Sequence, residues 1–199
     1  MMFEYEKKLP LTKSEYRALK KACCKMPVTT QKNFYFDTDD NSLDRRGITC
    51  RLRQKNGCLK KAVKIHSFGD EDCSLEINLS FLSKAEQEVL GFSGLKYQGE
   101  LTTERTEIFK NDQCKMVVDR NRYLGKEDYE LEAEYQKDKG FEADKALYCV
   151  AELLKAFHII ENESLFLLRQ GKIKPKSRRF FERKAAIDKK LKREGARWQ

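Results

Sequence analysis

Histidine is scarce in this sequence: 199 residues include only two, His66 and His158. With no Cys-x-x-Cys pair among the seven cysteines, no ligand set with zinc spacing exists. The cysteine number is odd, Cys23 and Cys24 are adjacent, and Cys50, Cys58, Cys73, Cys114 and Cys149 fall at no metal-ligand interval. They read as reduced packing residues. Long apolar runs are missing too. No stretch approaches the ~20 residues of a membrane span, and the chain opens on acidic residues inside an expected strand rather than on a basic and then apolar leader. The expected compartment is therefore the cytoplasm.

What is abundant is charge, at 37% of residues beside 40% hydrophobic ones, which suits one well-buried domain with an appended tail. The net charge of +9 is localised. Residues 172–199 hold 12 Lys and Arg against 3 acidic residues, which leaves 29 of each sign in residues 1–171. The body is formally neutral, so a cationic surface over the whole domain is not supported; the tail itself could meet RNA, polyphosphate or an anionic surface. Phe180, Phe181, Ala185, Ile187 and Leu191 among its bases predict a helix over 177–197 that partly packs on the body.

The body alternates with period two. In Met2 to Leu9, ending before Pro10, Glu4, Glu6 and Lys8 share one face and Phe3, Tyr5 and Lys7 the other. Two carboxylates ~6.6 Å apart along a strand can reach one cation. A half-buried strand whose charged face meets water has the same pattern. Thr12-Lys13-Ser14-Glu15 then has the form of a capping box and starts a helix carrying Tyr16, Leu19, Ala22, Cys23 and Met26 as its packing face. Val28 to Asp37 reads as a second strand and Asp37 to Asp44 as a polar connection. Ile48 to Gln54 places Thr49, Arg51 and Arg53 on one face. Asn56-Gly57 predicts a type I′ hairpin into Cys58 to His66, with Lys60, Ala62 and Lys64 together. Two basic faces side by side are unfavourable unless anions or carboxylates lie nearby.

Further strands are expected at Cys73 to Ser80, with Glu76 on its polar face, at Leu101 to Lys110 with Arg105, and at Cys114 to Asn121 with Asp119. Ser83-Lys84-Ala85-Glu86 resembles another cap, of a short helix ending near Gly91. After the turn at Leu124-Gly125-Lys126, Asp128 to Tyr135 puts Glu130, Glu132 and Glu134 on one face. Phe141 to Ile160 is a helix by pattern, with Ala146, Leu147, Val150, Leu153, Leu154 and Phe157 as its buried stripe. About eight strands, nearly all antiparallel, with two helices between them and one after, form an α+β chain that is mainly antiparallel β. A flat sheet would solvate the charged faces. Closure into a barrel would point them inward, around room for one small ligand, where acids and bases must neutralise one another, keep water, or hold a metal and an anion.

Glu4-x-Glu6-x-Lys8, Arg51-x-Arg53, Lys64, Glu76, Arg105, Asp119-x-x-x-Tyr123-Leu124-Gly125, Glu130-x-Glu132-x-Glu134 and Lys176-x-x-Arg179-Phe180 together resemble the CYTH superfamily, the triphosphate tunnel metalloenzymes. The match runs over nearly the whole chain in the family's order. The resemblance implies a closed eight-stranded antiparallel tunnel with helices outside, binding a triphosphate or longer polyphosphate with a divalent cation. It implies that Glu4, Glu6 and Glu132, with Glu130 or Glu134, hold Mg²⁺ or Mn²⁺. Lys8, Arg51, Arg53, Lys64 and Arg105 grip phosphate, and Lys176 with Arg179 closes the site from the tail. Carboxylate oxygens suit a hard cation, Arg offers phosphate a bidentate fork, and Lys a point charge. Glu4, Glu6, Lys8 and Glu132 are the implied catalytic set, while Glu76 and Asp119 serve equally well as counter-ions. Ala62 departs from the family, where many relatives place a threonine.

Three functions follow from this resemblance: metal-dependent hydrolysis of inorganic or a related triphosphate, a class IV type adenylate cyclase, and a non-catalytic polyphosphate-binding module. No motif marks a purine pocket. Carboxylates converging without metal are expected to repel one another, so that Glu132→Gln would leave the metal-free protein no less stable.

Overall fold

The structure is a computed structural model that describes residues 2–66, 73–79, 92 and 94–195. Eight strands follow the period-two stretches: β1 Met2–Leu11, β2 Val28–Asp37, β3 Ile48–Lys55, β4 Cys58–His66, β5 Cys73–Asn78, β6 Lys96–Lys110, β7 Cys114–Tyr123 and β8 Lys126–Tyr135. They close into a barrel in the order β1-β5-β4-β3-β2-β6-β7-β8, with every neighbouring pair antiparallel. The helices are α1 Lys13–Ala22, α2 Ser42–Arg45, α3 Gly140–Ala156, α4 Glu163–Leu167 and α5 Lys176–Gly195. The cap expected at Ser83 to Glu86 and its helix lie outside the described residues.

Local chemistry explains most of the boundaries. The capping box forms at α1: Thr12 Oγ1 accepts from the Glu15 amide at 3.3 Å, and the Glu15 carboxylate accepts from the Thr12 amide at 2.7 Å. Asn56 and Gly57 both take positive φ, 50° and 77°, as a type I′ turn requires. The connection after Asp37 is not all loop. The buried Asp37 carboxylate accepts from the amides of Thr38, Leu43 and Asp44, and this folds α2 into the segment. β1 runs through Pro10, which stands opposite Glu130, and β6 starts at Lys96, five residues before the expected strand. Helix α3 stops at Ala156 because His158 turns left-handed at φ 54°, leaving Phe157 exposed instead of on the buried stripe. Met26, four residues past the end of α1, is exposed as well.

The apolar core lies outside the ring. Leu9 and Leu11 of β1, Met116 and Val118 of β7, and Leu131 and Ala133 of β8 meet Leu19 of α1 and Ala143, Leu147, Val150, Ala151 and Leu154 of α3. Alternation therefore turns the opposite faces of β1, β7 and β8, with their carboxylates, into the barrel. A second apolar group, Tyr35, Leu101, Tyr123, Phe180 and Phe181, seats the first turns of α5 on the barrel wall. No helix among the described residues is long and apolar enough to cross a membrane.

Candidate functional site

Closure brings the charged faces together around one cavity of about 70 Å³, lined by Glu4, Glu6, Lys8, Arg51, Arg53, Lys64, Arg105, Glu132, Glu134 and Lys176. In the ring, β8 lies four strands from β3, so Glu132 and Glu134 face Arg51 and Arg53 across the chamber. Of the other expected site residues, Asp119 and Glu130 are fully buried in the wall behind this lining. Glu76 pairs with Arg51, and Arg179 bridges Glu130 and Asp128 at 2.5 Å each.

The acids do not stand unscreened, which corrects the expectation of mutual repulsion. Lys64 Nζ lies 2.8 Å from Glu4 and 3.0 Å from Glu6; Lys8 lies 2.8 Å from Glu6 and 3.6 Å from Glu132. Arg105 donates to Asp119 through Nε and Nη2, to Glu134 at 3.0 Å and to Glu132. Lys176, the first residue of α5, reaches Asp119 at 2.8 Å, Glu132 at 2.7 Å and Glu130. The physical reason is topological. Register and closure interleave basic strands and the tail with acidic ones, and neither register nor closure is written in any single strand.

These pairings set the protonation of the site. Burial works against the Glu6 charge, but the Lys8 and Lys64 ammoniums outweigh it and hold the carboxyl well below the usual range. Burial likewise opposes the Glu132 charge, and Lys176, Arg105 and Lys8 overcome it in the same direction. The Lys176 ammonium is disfavoured by burial and held above its ordinary value by Asp119, Glu130 and Glu132.

Arg53 behaves differently. Its Nε donates to Asn33 Oδ1 at 3.1 Å, and among the described residues its guanidinium pairs with no carboxylate. Burial, followed by repulsion from Arg51 with Arg105 contributing, lowers it to about 10.

Several lining residues escaped the sequence reading. Gln31, Asn33 and Tyr35 alternate along β2 and face the chamber, a period-two signal hidden by the Thr and aromatic content of that strand. Thr49, His66 and Ser177 form a buried chain: Thr49 Oγ1 lies 3.2 Å from His66 Nε2 and donates to Ser177 Oγ at 2.8 Å. Burial, then Lys64 and Lys8, push His66 down to about 3, so it is neutral. Ala62 is buried and stands opposite Arg51, without a hydroxyl to offer.

The donor set suits a hard divalent cation. At the chamber it consists of the carboxylates of Glu4, Glu6, Glu132 and Glu134; behind them one oxygen each from Asp119, Glu130 and Glu132 lies within 4.8 Å of the others, with the Lys176 ammonium against all three. The opposing guanidinium and ammonium groups suit phosphate oxygens. The CYTH domain matches residues 2–157 of the sequence. The chain belongs to the CYTH domain family. A Bacillus subtilis (strain 168) relative named "Putative triphosphatase YjbK" is 30% identical, with 91% of this chain and 95% of the relative covered. Among solved structures, a Bacillus halodurans protein described as a "putative adenylate cyclase" aligns at a TM-score of 0.62 with 25% identity, over 91% of this CYTH chain and all of the other. HpAC1 from Hippeastrum, for which a dominant triphosphatase activity is described, has the same fold at a TM-score of 0.57 and 17% identity, over 80% and 89% of the two chains.

Proposed function

We propose that this CYTH domain is a cytoplasmic enzyme that hydrolyses inorganic triphosphate, or a related short triphosphate, with Mg²⁺ or Mn²⁺. The observation that carries the reading is Arg53, a cation lining the chamber that makes no ion pair with a carboxylate among the described residues, opposite a carboxylate wall. The name of the Bacillus subtilis relative points the same way.

In this reading Arg51, Arg53, Lys64, Arg105 and Lys8 hold the phosphate oxygens, and Glu4, Glu6, Glu132 and Glu134 hold the metal. A bound divalent cation draws negative charge off the phosphoryl group under attack. The chain does the rest by positioning. Lys64 releases Glu4 and Glu6 to turn its ammonium to phosphate, and Arg51 and Arg105 exchange carboxylate partners for phosphate oxygens through the same forked geometry. Once those partners are exchanged, the cations stand fixed around the phosphate chain as charge shifts from the cleaved bridge to the leaving phosphate.

The lining favours a bare phosphate chain over a nucleotide. Among the described residues that line the chamber, Tyr35 and Pro175 are the weakly polar ones, and all others carry charge or hydrogen-bonding groups, so no apolar slot for a purine is present. The test is product analysis with tripolyphosphate, ATP and thiamine triphosphate, each with Mg²⁺ or Mn²⁺. Metal-dependent release of phosphate from tripolyphosphate is expected. Pyrophosphate with cyclic AMP from ATP would establish a cyclase instead, and tight binding without turnover would establish a polyphosphate-binding module.

A further inference from the structure

The carboxylates of the barrel divide into two groups. Glu4, Glu6 and Glu134 are part-exposed at the chamber, whereas Asp119, Glu130 and Glu132 are at most 2% exposed. The inner trio already contains a cation. Lys176 Nζ contacts all three carboxylates, two of them at 2.7 and 2.8 Å, and these are the same three residues whose oxygens converge within 4.8 Å. Arg105 also pairs with Asp119 and Glu132, Arg179 with Glu130, and Lys8 approaches Glu132 at 3.6 Å, so each buried carboxylate of the trio has a second cation beside Lys176. Asn121 Nδ2 adds a hydrogen bond to Glu130 at 3.1 Å and is itself held by Thr103 at 2.7 Å.

Lys176 is not a surface lysine that happens to reach inward. Ser177, the next residue, accepts from Thr49 at 2.8 Å, Arg179 is locked onto Asp128 and Glu130, and Phe180 is fully buried against the barrel wall. These anchors, on both sides of the barrel axis, fix how deep the ammonium sits. A divalent ion in the same place would face the Lys176 charge at contact distance, among carboxylates already paired with Lys176, Arg105 and Arg179.

We propose that Lys176 is the resident cation of the Asp119, Glu130 and Glu132 trio, and that through it the C-terminal helix closes the space between these three carboxylates to divalent metal and confines the metal to the chamber side, where Glu132 lines the cavity beside Glu4, Glu6 and Glu134. The inference rests on the metal reading above. It assigns Lys176 to metal placement rather than to phosphate binding. Loss of Lys176 opens a second divalent site, and restoring a cation at that position or removing one carboxylate closes it again.

The experiment is a Mn²⁺ titration of the full-length protein, without phosphate, read by calorimetry and by the loss of the free-ion paramagnetic resonance signal. Lys176→Met is expected to bind one more Mn²⁺ than wild type. The double variant Asp119→Asn with Lys176→Met is expected to return to the wild-type number. Equal stoichiometry in wild type and a folded Lys176→Met would overturn the proposal. Should Lys176→Met fail to fold, Asp119→Asn in the otherwise unchanged chain decides: unaltered stoichiometry supports the proposal, and loss of one ion overturns it. Wild type binding no Mn²⁺ while Lys176→Met binds one would support the closed trio and overturn the metal reading, which separates the two.

Discussion

The Phe180 ring occupies the space beside Gly99 so closely that a Cβ built there would lie 2.7 Å from its Cζ atom. Gly99 sits at φ 136°, and next to its partner Tyr35 the β2–β6 register shifts, so the backbone bends where the ring of α5 enters. Gly99→Ala would strain the backbone and push Phe180 outward, loosening the helix that carries Lys176. A loss of about 1–3 kcal/mol is expected, read as a lower melting temperature. An unchanged melting temperature would show that α5 does not depend on this contact.

Glu132 neutralises Lys176, Arg105 and Lys8 from inside the barrel. Glu132→Gln leaves those cations short of a charge, so the metal-free protein should lose roughly 3 kcal/mol or more. Turnover should fall at least ~100-fold. Tyr129 lies on the outer face of the same strand, stacked on Tyr16 at 4.6 Å and donating to Glu127. Tyr129→Phe should cost about 1 kcal/mol and keep activity. Equal turnover in the two variants would remove Glu132 from the site.

Arg53 and Arg105 separate binding from stability. Arg53 has no ion-paired carboxylate among the described residues, so Arg53→Gln should leave melting nearly unchanged while weakening tripolyphosphate binding about 10- to 100-fold, the share of one or two charged hydrogen bonds. Arg105→Gln strands Asp119 and Glu132 and should destabilise by about 3–5 kcal/mol. Calorimetric titration beside thermal melts distinguishes them. Comparable stability losses in both would mean that Arg53 is a structural cation.

His66 stays neutral in the fold down to about pH 3, against 6.5 ordinarily. Between these values the unfolded chain takes up a proton that the folded chain refuses, so acidification favours unfolding. Its contribution is fully present above pH 6.5 and is lost as the pH falls toward 3. His66→Gln retains a partner for Thr49 and should flatten stability against pH by up to ~1.4 kcal/mol per unit in that window. Urea melts at pH 7.5, 6 and 5 measure this, and parallel slopes in wild type and variant would refute it.

The alternation of Glu4, Glu6 and Lys8, of Arg51 and Arg53, and of Glu130, Glu132 and Glu134 was legible in the sequence because side chains on a strand change face with period two. Capping at Thr12 and the turn at Asn56-Gly57 were legible for the same reason: their hydrogen bonds and dihedrals involve neighbours only. α2 was missed because the Asp37 carboxylate that folds it reaches six and seven residues ahead.

Residue types and their faces thus came from the sequence itself, and with them the chemistry of a cation and an anion held together. Which acid meets which base came only from closure. Lys176 stands 57, 46 and 44 residues from Asp119, Glu130 and Glu132 in the chain, and Lys64 stands 60 from Glu4, so strand order, register and the docking of α5 set those contacts. The same closure left Arg53 without an ion-paired carboxylate among the described residues and put Lys176 among Asp119, Glu130 and Glu132. Such pairings depend on distances across a barrel, and no local pattern encodes them.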